Sequence, residues 1–131
     1  MKKRILLKLS GEVLSGSKES GIDFNIVIEI AKEVKECLNM GFSIAIVVGG
    51  GNFWRGKAND FMERQTSDYI GMLATTMNAL ALQDAFRQIE VPVRVETAIE
   101  MRKIAEFYLQ EKAKKHLEKG RVVIFGCGTG N

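Results

Sequence analysis

Three short apolar runs in the sequence each lead into a loop that contains glycine. Each run is five or six residues long and rich in aliphatic side chains, as expected for parallel strands that are buried on both faces. The runs and their loops are residues 4–9 before Ser10 and Gly11, residues 43–48 before residues 49–51, and residues 121–125 before residues 126–130. If the strands are parallel, all three loops lie along one edge of a sheet, where open α/β sheets bind their ligands.

Two further stretches are predicted to be helical from the spacing of their apolar residues. Residues 25–40 place apolar side chains on one face and charged side chains on the other, and Gly41 ends this helix. Residues 68–88 are apolar nearly all round, which predicts a helix buried on more than one face, either at the centre of the domain or against another subunit. Thr66 and Ser67 are predicted to cap this helix, with Asp68 in its first turn.

The remaining pattern predicts one more strand and one more helix. Residues 91–95 form a short predicted strand that begins at Pro92, and residues 99–118 a predicted helix with a basic face near its carboxyl end. His116, the only histidine, lies in that charged run, which argues against a role as a catalytic base. The alternation of strands and helices predicts an α/β fold with a parallel sheet.

The loop after the second strand has the composition of a phosphate-binding turn. Its three glycines let the backbone come close to a ligand, their amides can point at an anion, and Arg55 adds a planar fork of charged donors. A tight turn with a solvent-facing arginine explains the same residues equally well. Lys8, at the end of the first strand, is either a phosphate ligand or a solvated charge, and the helix dipole alone explains Asp68.

Composition and charge argue against several classes of protein. The chain has 131 residues, 46% apolar and 27% charged, which suits one domain with a core. Its formal charge of +3 is spread along the chain, so nucleic acid is not an expected partner. Lys8 interrupts the first apolar run too early for a signal peptide, and no stretch approaches the roughly 18 apolar residues of a membrane helix. Cys37 and Cys127 lack metal-ligand spacing, so we expect reduced thiols, a cytoplasmic location and no metal-binding residues.

Five motifs carry a family resemblance. In this order, they are KRILLKLSGE, GGGNFWRG, SDYIGMLATTMNALALQDA, HLEKGRVVIF and the terminal GTGN. Their order and spacing resemble those of the bacterial uridylate kinases of the amino acid kinase superfamily, and the resemblance covers the whole chain. Cys127 stands where the family more often has a small alanine, a change that we expect to be tolerated.

The resemblance implies reversible transfer of the γ-phosphoryl group of magnesium-bound ATP to UMP, which gives UDP for pyrimidine nucleotide biosynthesis. It places a catalytic charge-neutralising role on Lys8, and it overrides the purely dipolar explanation of Asp68. The matching positions are Lys8, Leu9, Ser10 and Gly11 at the transferring phosphoryl group, Gly50, Gly51 and Arg55 at phosphates with Arg55 on the UMP side, Asp68 at the UMP ribose, and Thr129, Gly130 and Asn131 at the start of the uracil and acceptor loop.

The resemblance also implies the domain organisation. Family members continue past GTGN into a lobe that holds ATP, so residues 1–131 correspond to the UMP-binding lobe and the ATP lobe is absent. The implied fold is a three-layer αβα sandwich whose mainly parallel central sheet is incomplete at its C-terminus. We expect this truncated chain to bind UMP weakly and to turn over little or nothing.

The family further implies regulation and assembly. Full-length members form hexamers with the second helix at a subunit contact, so a homo-oligomer is expected. GTP is the implied activator, acting near residues 15–21, and UTP the implied inhibitor.

Two alternatives remain open on the sequence. Carbamate, acetylglutamate and aspartate kinases share the strand-to-glycine-loop layout, but they lack the combination of GGGNFWRG with SDYIGM. The alternative from a different class is a non-catalytic nucleotide-binding fragment, or a fragment with no folded function, since half a sheet leaves an open edge. The GxGxG pattern of the third loop also invites a dinucleotide-binding interpretation, which is disfavoured because the confirming helix and acidic residue are absent.

Overall fold

The computed structural model describes residues 3–55 and 61–126 and contains one five-stranded parallel sheet flanked by helices. The strand order is β1-β2-β5-β3-β4, and every pairing is parallel. In chain order the elements are β1 Lys3–Leu9, α1 Gly11–Ser15, α2 Phe24–Asn39, β2 Phe42–Val48, α3 Arg64–Gln88, β3 Val93–Thr97, β4 Glu106–Phe107, α4 Gln110–Glu118 and β5 Val122–Gly126.

The register of the strands confirms the predicted α/β fold and its common loop edge. Leu9 at the end of β1 is paired with Val48 at the end of β2, and Thr97 at the end of β3 is paired with Gly126 at the end of β5. Because all strands run the same way, their carboxyl ends lie on one edge of the sheet. The loops after β1, β2 and β5 therefore begin side by side.

The main core lies between the sheet and helices α2 and α3. Alternate strand residues, including Ile46, Ile124 and Val95, are buried there against the apolar stripe of α2 and against Leu82 and Phe86 of α3. Each such fully buried side chain contributes about 1.5–3 kcal/mol relative to an exposed one. The intervening strand residues face α4 instead, where the Ser43 hydroxyl donates a 3.4 Å hydrogen bond to the Leu117 carbonyl. Helices thus cover both faces of the sheet.

Helix α2 matches its prediction closely. It spans Phe24–Asn39, and the Asp23 carboxylate accepts a 3.0 Å hydrogen bond from the amide of Asn25 at its amino end. This capping bond satisfies one of the amides that have no partner within the helix.

The predicted start of α3 is wrong. The helix begins at Arg64, so Thr66 and Ser67 lie inside it, Glu63 occupies the capping position without a side-chain bond, and Asp68 falls in the second turn. The physical reason is tertiary: the Trp54 indole N–H donates a 3.0 Å hydrogen bond to the Ser67 hydroxyl, which gives Ser67 a partner outside its own helix. Of the apolar positions on α3, Leu73 and Met77 are exposed in the isolated chain.

The predicted helix over residues 99–118 is also wrong in its first half. Only Gln110–Glu118 is helical, and Glu106–Phe107 forms the short edge strand β4 beside β3. The Tyr108 amide donates a 2.8 Å hydrogen bond to the Thr97 carbonyl and fixes this pairing. Strand pairing between distant residues overrides the local helical pattern.

Two smaller differences complete the comparison. The strand predicted over residues 91–95 lies two residues later, at Val93–Thr97, and Pro92 precedes it while its carbonyl accepts a 2.9 Å bond from the Val122 amide. The sequence pattern does not predict the one-turn helix α1 directly after β1. None of the described helices is both long enough and apolar enough to cross a membrane.

Candidate functional site

The loops after β1 and β2 are packed backbone against backbone. The Gly49 amide donates a 2.8 Å hydrogen bond to the Leu9 carbonyl, at the point where both strands end. A Cβ atom added to Gly11 would lie 2.5 Å from Asn52 Oδ1 and 2.6 Å from the Gly51 nitrogen, so only glycine fits there without moving a loop. The predicted meeting of these two glycine loops is therefore present.

A pair of buried asparagines holds the second loop in shape. Asn52 Nδ2 donates to Asn78 Oδ1 at 3.0 Å, and Asn78 Nδ2 donates back to Asn52 Oδ1 at 2.8 Å. The second N–H of each amide donates to a backbone carbonyl. Asn52 donates to the Gly21 carbonyl at 2.8 Å, and Asn78 donates to the Gly49 carbonyl at 2.7 Å. The pair joins the glycine loop to the middle of α3 and to the turn at Gly21.

The start of α3 lies against the same loop. Gly50 approaches α3 so closely that an added Cβ would be 2.8 Å from the Ala74 Cβ. Trp54 lies along the first turns of α3, bonded to Ser67, with its Cδ1 beside Gly71. Asp68 follows Ser67 in the chain and is exposed, so its side chain is accessible to solvent.

The two cationic residues predicted for this edge, Lys8 and Arg55, differ in their surroundings. Lys8 is exposed on β1, in register with Val47. The Arg55 guanidinium forms a 2.8 Å ion pair with the Glu12 carboxylate. The Arg55 side chain is 64% exposed and the Glu12 side chain 50% exposed. A Cβ added to Gly51 would lie 2.6 Å from Glu12 Oε1. An anionic group therefore already lies beside Gly51 and Arg55, as a phosphate would.

The third glycine loop is described only at its first residue. Gly126 ends β5 at the same edge, and a Cβ added to it would lie 3.4 Å from Thr76 of α3 and 3.5 Å from Thr97 of β3. The predicted ligand residues Thr129, Gly130 and Asn131 lie outside the described residues. Leu9, Ser10, Gly11, Gly50 and Gly51 all lie where the two described loops meet, and a glycine-rich backbone with cationic residues in the same segments suits the binding of phosphate.

The sequence pattern alone does not indicate Asn78, Glu12 or the role of Asn52. A signal was present for Asn78, because it is a polar residue in the middle of a helix that is apolar nearly all round, and a buried amide there needs partners. No local signal identifies Glu12, since its partner Arg55 is brought to it only by the fold.

A second polar cluster lies at the opposite side of the sheet, where β3, β4 and α4 meet. Glu96 is fully buried, and His116 Nε2 is 3.8 Å from Glu96 Oε2 and 2.8 Å from Glu106 Oε1. Burial, reinforced by the Glu106 carboxylate, raises the pKa of Glu96 to about 7, although the Leu109 amide and the Lys112 ammonium act in the opposite direction. Glu106 also lines a neighbouring cavity of about 730 Å³.

Comparison with known proteins gives consistent similarities. The model of the amino acid kinase family matches residues 3–131. The structure is similar to that of UMP kinase from Ureaplasma parvum, with 36% identity and a TM-score of 0.92 over 99% of this chain and 56% of that chain. It is equally similar to UMP kinase from Bacillus anthracis, with 36% identity and a TM-score of 0.92 over 98% of this chain and 54% of that chain.

The described fold and these similarities agree. The chain spans a little over half the length of the two solved UMP kinases. The resemblance to uridylate kinases that the five motifs indicate is confirmed by both structures. Since the family model matches almost the whole length and the parallel sheet carries its glycine loops on one edge, the chain belongs to the amino acid kinase family.

Proposed function

We propose that residues 1–131 form the UMP-binding lobe of a UMP kinase, and that the lobe binding ATP lies outside these residues. The observation that carries the proposal is the junction of the two glycine loops, where the Gly49 amide donates to the Leu9 carbonyl and Arg55 of the second loop pairs with Glu12 after the first. The similarity to two UMP kinases at 36% identity over nearly the whole chain supports uridylate as the acceptor.

The reaction needs mainly positioning and charge neutralisation. A phosphate oxygen of UMP attacks the γ-phosphorus of ATP, the bond from that phosphorus to the bridging oxygen breaks, and UDP and ADP are formed. In this proposal Lys8 neutralises charge on the transferring group, while Leu9, Ser10 and Gly11 contribute the adjoining backbone. Mg²⁺ enters as the complex with ATP and neutralises phosphate charge when bound. We assign no described residue to it.

The acceptor nucleotide is proposed to lie along the second loop. Gly50, Gly51 and Arg55 hold phosphate oxygens, and Arg55 exchanges its contact with Glu12 for one with UMP. Asp68 binds the ribose, for which its exposed position beside the Trp54–Ser67 contact is suitable. Thr129, Gly130 and Asn131 are proposed to bind uracil and the acceptor phosphate.

Assembly and regulation belong to the same proposal. Tyr69, Leu73 and Met77 are each about half-exposed and recur every four residues along α3, so they form one apolar side of the helix. This side supports a subunit contact in a homo-oligomer, a hexamer in the full-length protein. GTP is the proposed activator, UTP the proposed inhibitor, and the cytoplasm the proposed location.

The test is calorimetric titration of the protein with UMP, with uridine as the ligand that lacks the phosphate. We expect UMP to bind and uridine to bind far more weakly. Arg55→Gln should weaken UMP binding by roughly 10–100-fold, because a charge-assisted hydrogen bond contributes about 1.5–3 kcal/mol. Arg102→Gln is the matched control, since Arg102 is also an exposed arginine paired with a nearby carboxylate, Glu100, and it should leave UMP affinity unchanged.

Two results would contradict the proposal. Equal binding of UMP and uridine, or an unchanged UMP affinity in Arg55→Gln, would remove the phosphate role of the second loop. A chromatographic assay for UDP in the presence of ATP and Mg²⁺ tests the division into lobes. Substantial UDP formation by residues 1–131 alone would show that they also contain the donor site.

A further inference from the structure

Glu96 is an unusual residue for the interior of this fold. Its side chain is completely buried, and neither carboxylate oxygen has a hydrogen-bond partner within the described part of the chain. The Leu109 backbone N–H interacts with the carboxylate and lowers its pKa, but this contact lies outside ordinary hydrogen-bond geometry. A buried carboxylate normally has a paired charge, a hydrogen bond or a metal ion, because the loss of hydration is otherwise uncompensated. Glu96 therefore indicates a missing partner.

The fold brings two further ligand groups to this carboxylate. Glu96 and Glu106 are register partners on the adjacent parallel strands β3 and β4, so their side chains emerge on the same face of the sheet. Helix α4 covers that face and contributes His116. One ligand atom from each of the three residues lies within 4.8 Å of the other two.

We propose that Glu96, Glu106 and His116 form a binding site for a divalent cation of the Zn²⁺ type. Two carboxylates and one imidazole are ligands that Zn²⁺ accepts, with bonds of about 2.0–2.2 Å, which places tetrahedral ligands roughly 3.3–3.5 Å apart. The imidazole Nε2 lies 2.8 Å from Glu106 Oε1 and 3.8 Å from Glu96 Oε2, on either side of that separation. Since Glu106 also lines the cavity, water can supply a fourth ligand.

The role of such an ion is structural. β4 has only two residues, and it is held to the sheet by its pairing with β3. A cation bound by Glu96, Glu106 and His116 ties β3, β4 and α4 together at one point. It also gives the buried Glu96 carboxylate the partner that it lacks.

Neighbouring cations set the conditions under which the ion binds. Arg94 Nε lies 3.7 Å from Glu106 Oε2, and Lys112 contributes a further positive charge. Arg121 Nη1 lies 3.1 Å from His116 Nδ1 and donates to it, so the imidazole proton is on Nε2 and is directed at Glu106. A cation at Nε2 takes the place of that proton, which moves to Nδ1, and Arg121 then releases the ring. Arg121 therefore opposes binding.

The test uses Zn²⁺ as the probe, on protein that has been treated with a chelator and freed of any histidine tag. We expect calorimetry to show one ion per chain, and a rise in the thermal midpoint at saturation. Glu96→Gln should weaken Zn²⁺ binding by at least roughly tenfold, and His116→Gln should do the same. Arg121→Gln should strengthen it by several-fold, because the amide oxygen can accept the proton on Nδ1.

The control and the structural readout come from the same part of the chain. Glu100→Gln changes an acid that lines the same cavity but is not one of the three ligands, so it should leave Zn²⁺ affinity within about twofold. His116 is the only histidine, so its ring ¹⁵N resonances report binding at Nε2 directly and separate it from binding at Cys37 or Cys127.

The possible outcomes are decisive. Zn²⁺ that shifts the His116 Nε2 resonance and is lost in Glu96→Gln supports the site. Failure to bind, binding that is equal in Glu96→Gln, or binding that leaves the His116 resonances unchanged overturns it. If Glu96→Gln does not fold, as judged by circular dichroism, the resonance shift in the unmodified protein and the effect of Arg121→Gln still decide the question.

Discussion

Two buried polar clusters lie on this sheet, and they differ in how completely their groups are paired. At the glycine-loop edge, Asn52 and Asn78 use all four amide N–H groups, two on each other and two on the carbonyls of Gly21 and Gly49. At the β3–β4–α4 corner, the equally buried Glu96 has no hydrogen bond within the described residues. The first cluster is complete without a ligand, whereas the second is not.

The two kinds of side chain suit different roles. An amide carries both donors and acceptors, so two of them can satisfy each other and hold a loop in one shape before any ligand arrives. Carboxylates carry acceptors only, so Glu96 and Glu106 need a proton, a cation or a donor between them. The asparagine pair suits a phosphate site that must be formed in advance, and the corner suits an ion that completes it.

The largest effect is expected from Asn78→Ala. The change leaves the Gly49 carbonyl, Asn52 Oδ1 and one of the two Asn52 N–H groups without their partners, so the free energy of unfolding should fall by about 3 kcal/mol. UMP binding should be lost as the glycine loop relaxes. Urea denaturation and calorimetric titration measure the two effects.

A double-mutant cycle separates the pair from its surroundings. Asn52→Ala with Asn78→Ala should cost clearly less than the sum of the single changes, since each single change already removes the shared bonds. Asn39→Ala, at the exposed end of α2, is the matched control and should change stability by less than about 0.5 kcal/mol. Additive effects would mean that the two amides do not act as a unit.

The sequence was sufficient for the part of the fold that rests on local patterns. The apolar runs before the glycines predict three strands of the sheet, and the periodicity of residues 25–40 predicts α2 to within one residue at each end. The prediction failed where distant residues decide the structure. Residues 106 and 107 lie in a helical pattern, but they form a strand because Glu96 and Thr97 offer a free strand edge beside them.

The same division applies to the candidate sites. The glycines, Lys8 and Arg55 are recognisable from composition and motif, because their chemistry does not depend on a partner elsewhere in the chain. The asparagine pair joins residues that are 26 positions apart in the sequence. Glu96 and His116 come together only because of the register of β3 with β4 and the position of α4 on the sheet. Such contacts have no periodicity in the sequence.

A smaller loss of stability is expected from Gly11→Ala, which tests how tightly the glycine loops are packed. Gly11→Ala places a methyl group 2.5 Å from Asn52 Oδ1 and 2.6 Å from the Gly51 nitrogen, so one loop must move, at a cost of about 2 kcal/mol in unfolding free energy. UMP affinity should fall together with stability. Urea denaturation and titration of the variant provide the measurement.

The matched control is another glycine at the same site. In Gly71→Ala, within α3, the nearest contact of the new Cβ is Trp54 Cδ1 at 3.8 Å, an ordinary van der Waals distance. Alanine is the better helix former, so this variant should be more stable by about 0.5–1 kcal/mol. Equal behaviour of the two variants would show that the loops adjust freely, and the edge could not then be regarded as preformed.

The smallest effect has the opposite sign and comes from the incomplete cluster. Glu96→Gln replaces a buried, unpartnered carboxylate by a neutral amide whose N–H groups can donate to Glu106, so the metal-free protein should gain about 1 kcal/mol in urea denaturation. Glu100→Gln should stay within about 0.5 kcal/mol. In saturating Zn²⁺ the unmodified protein should be more stable than Glu96→Gln, because only the unmodified protein gains stability from the ion. If the metal-free Glu96→Gln variant instead loses more than about 1 kcal/mol of unfolding free energy, the carboxylate is already well paired. The Glu96 cluster would then not differ from the asparagine pair in how completely its groups are paired.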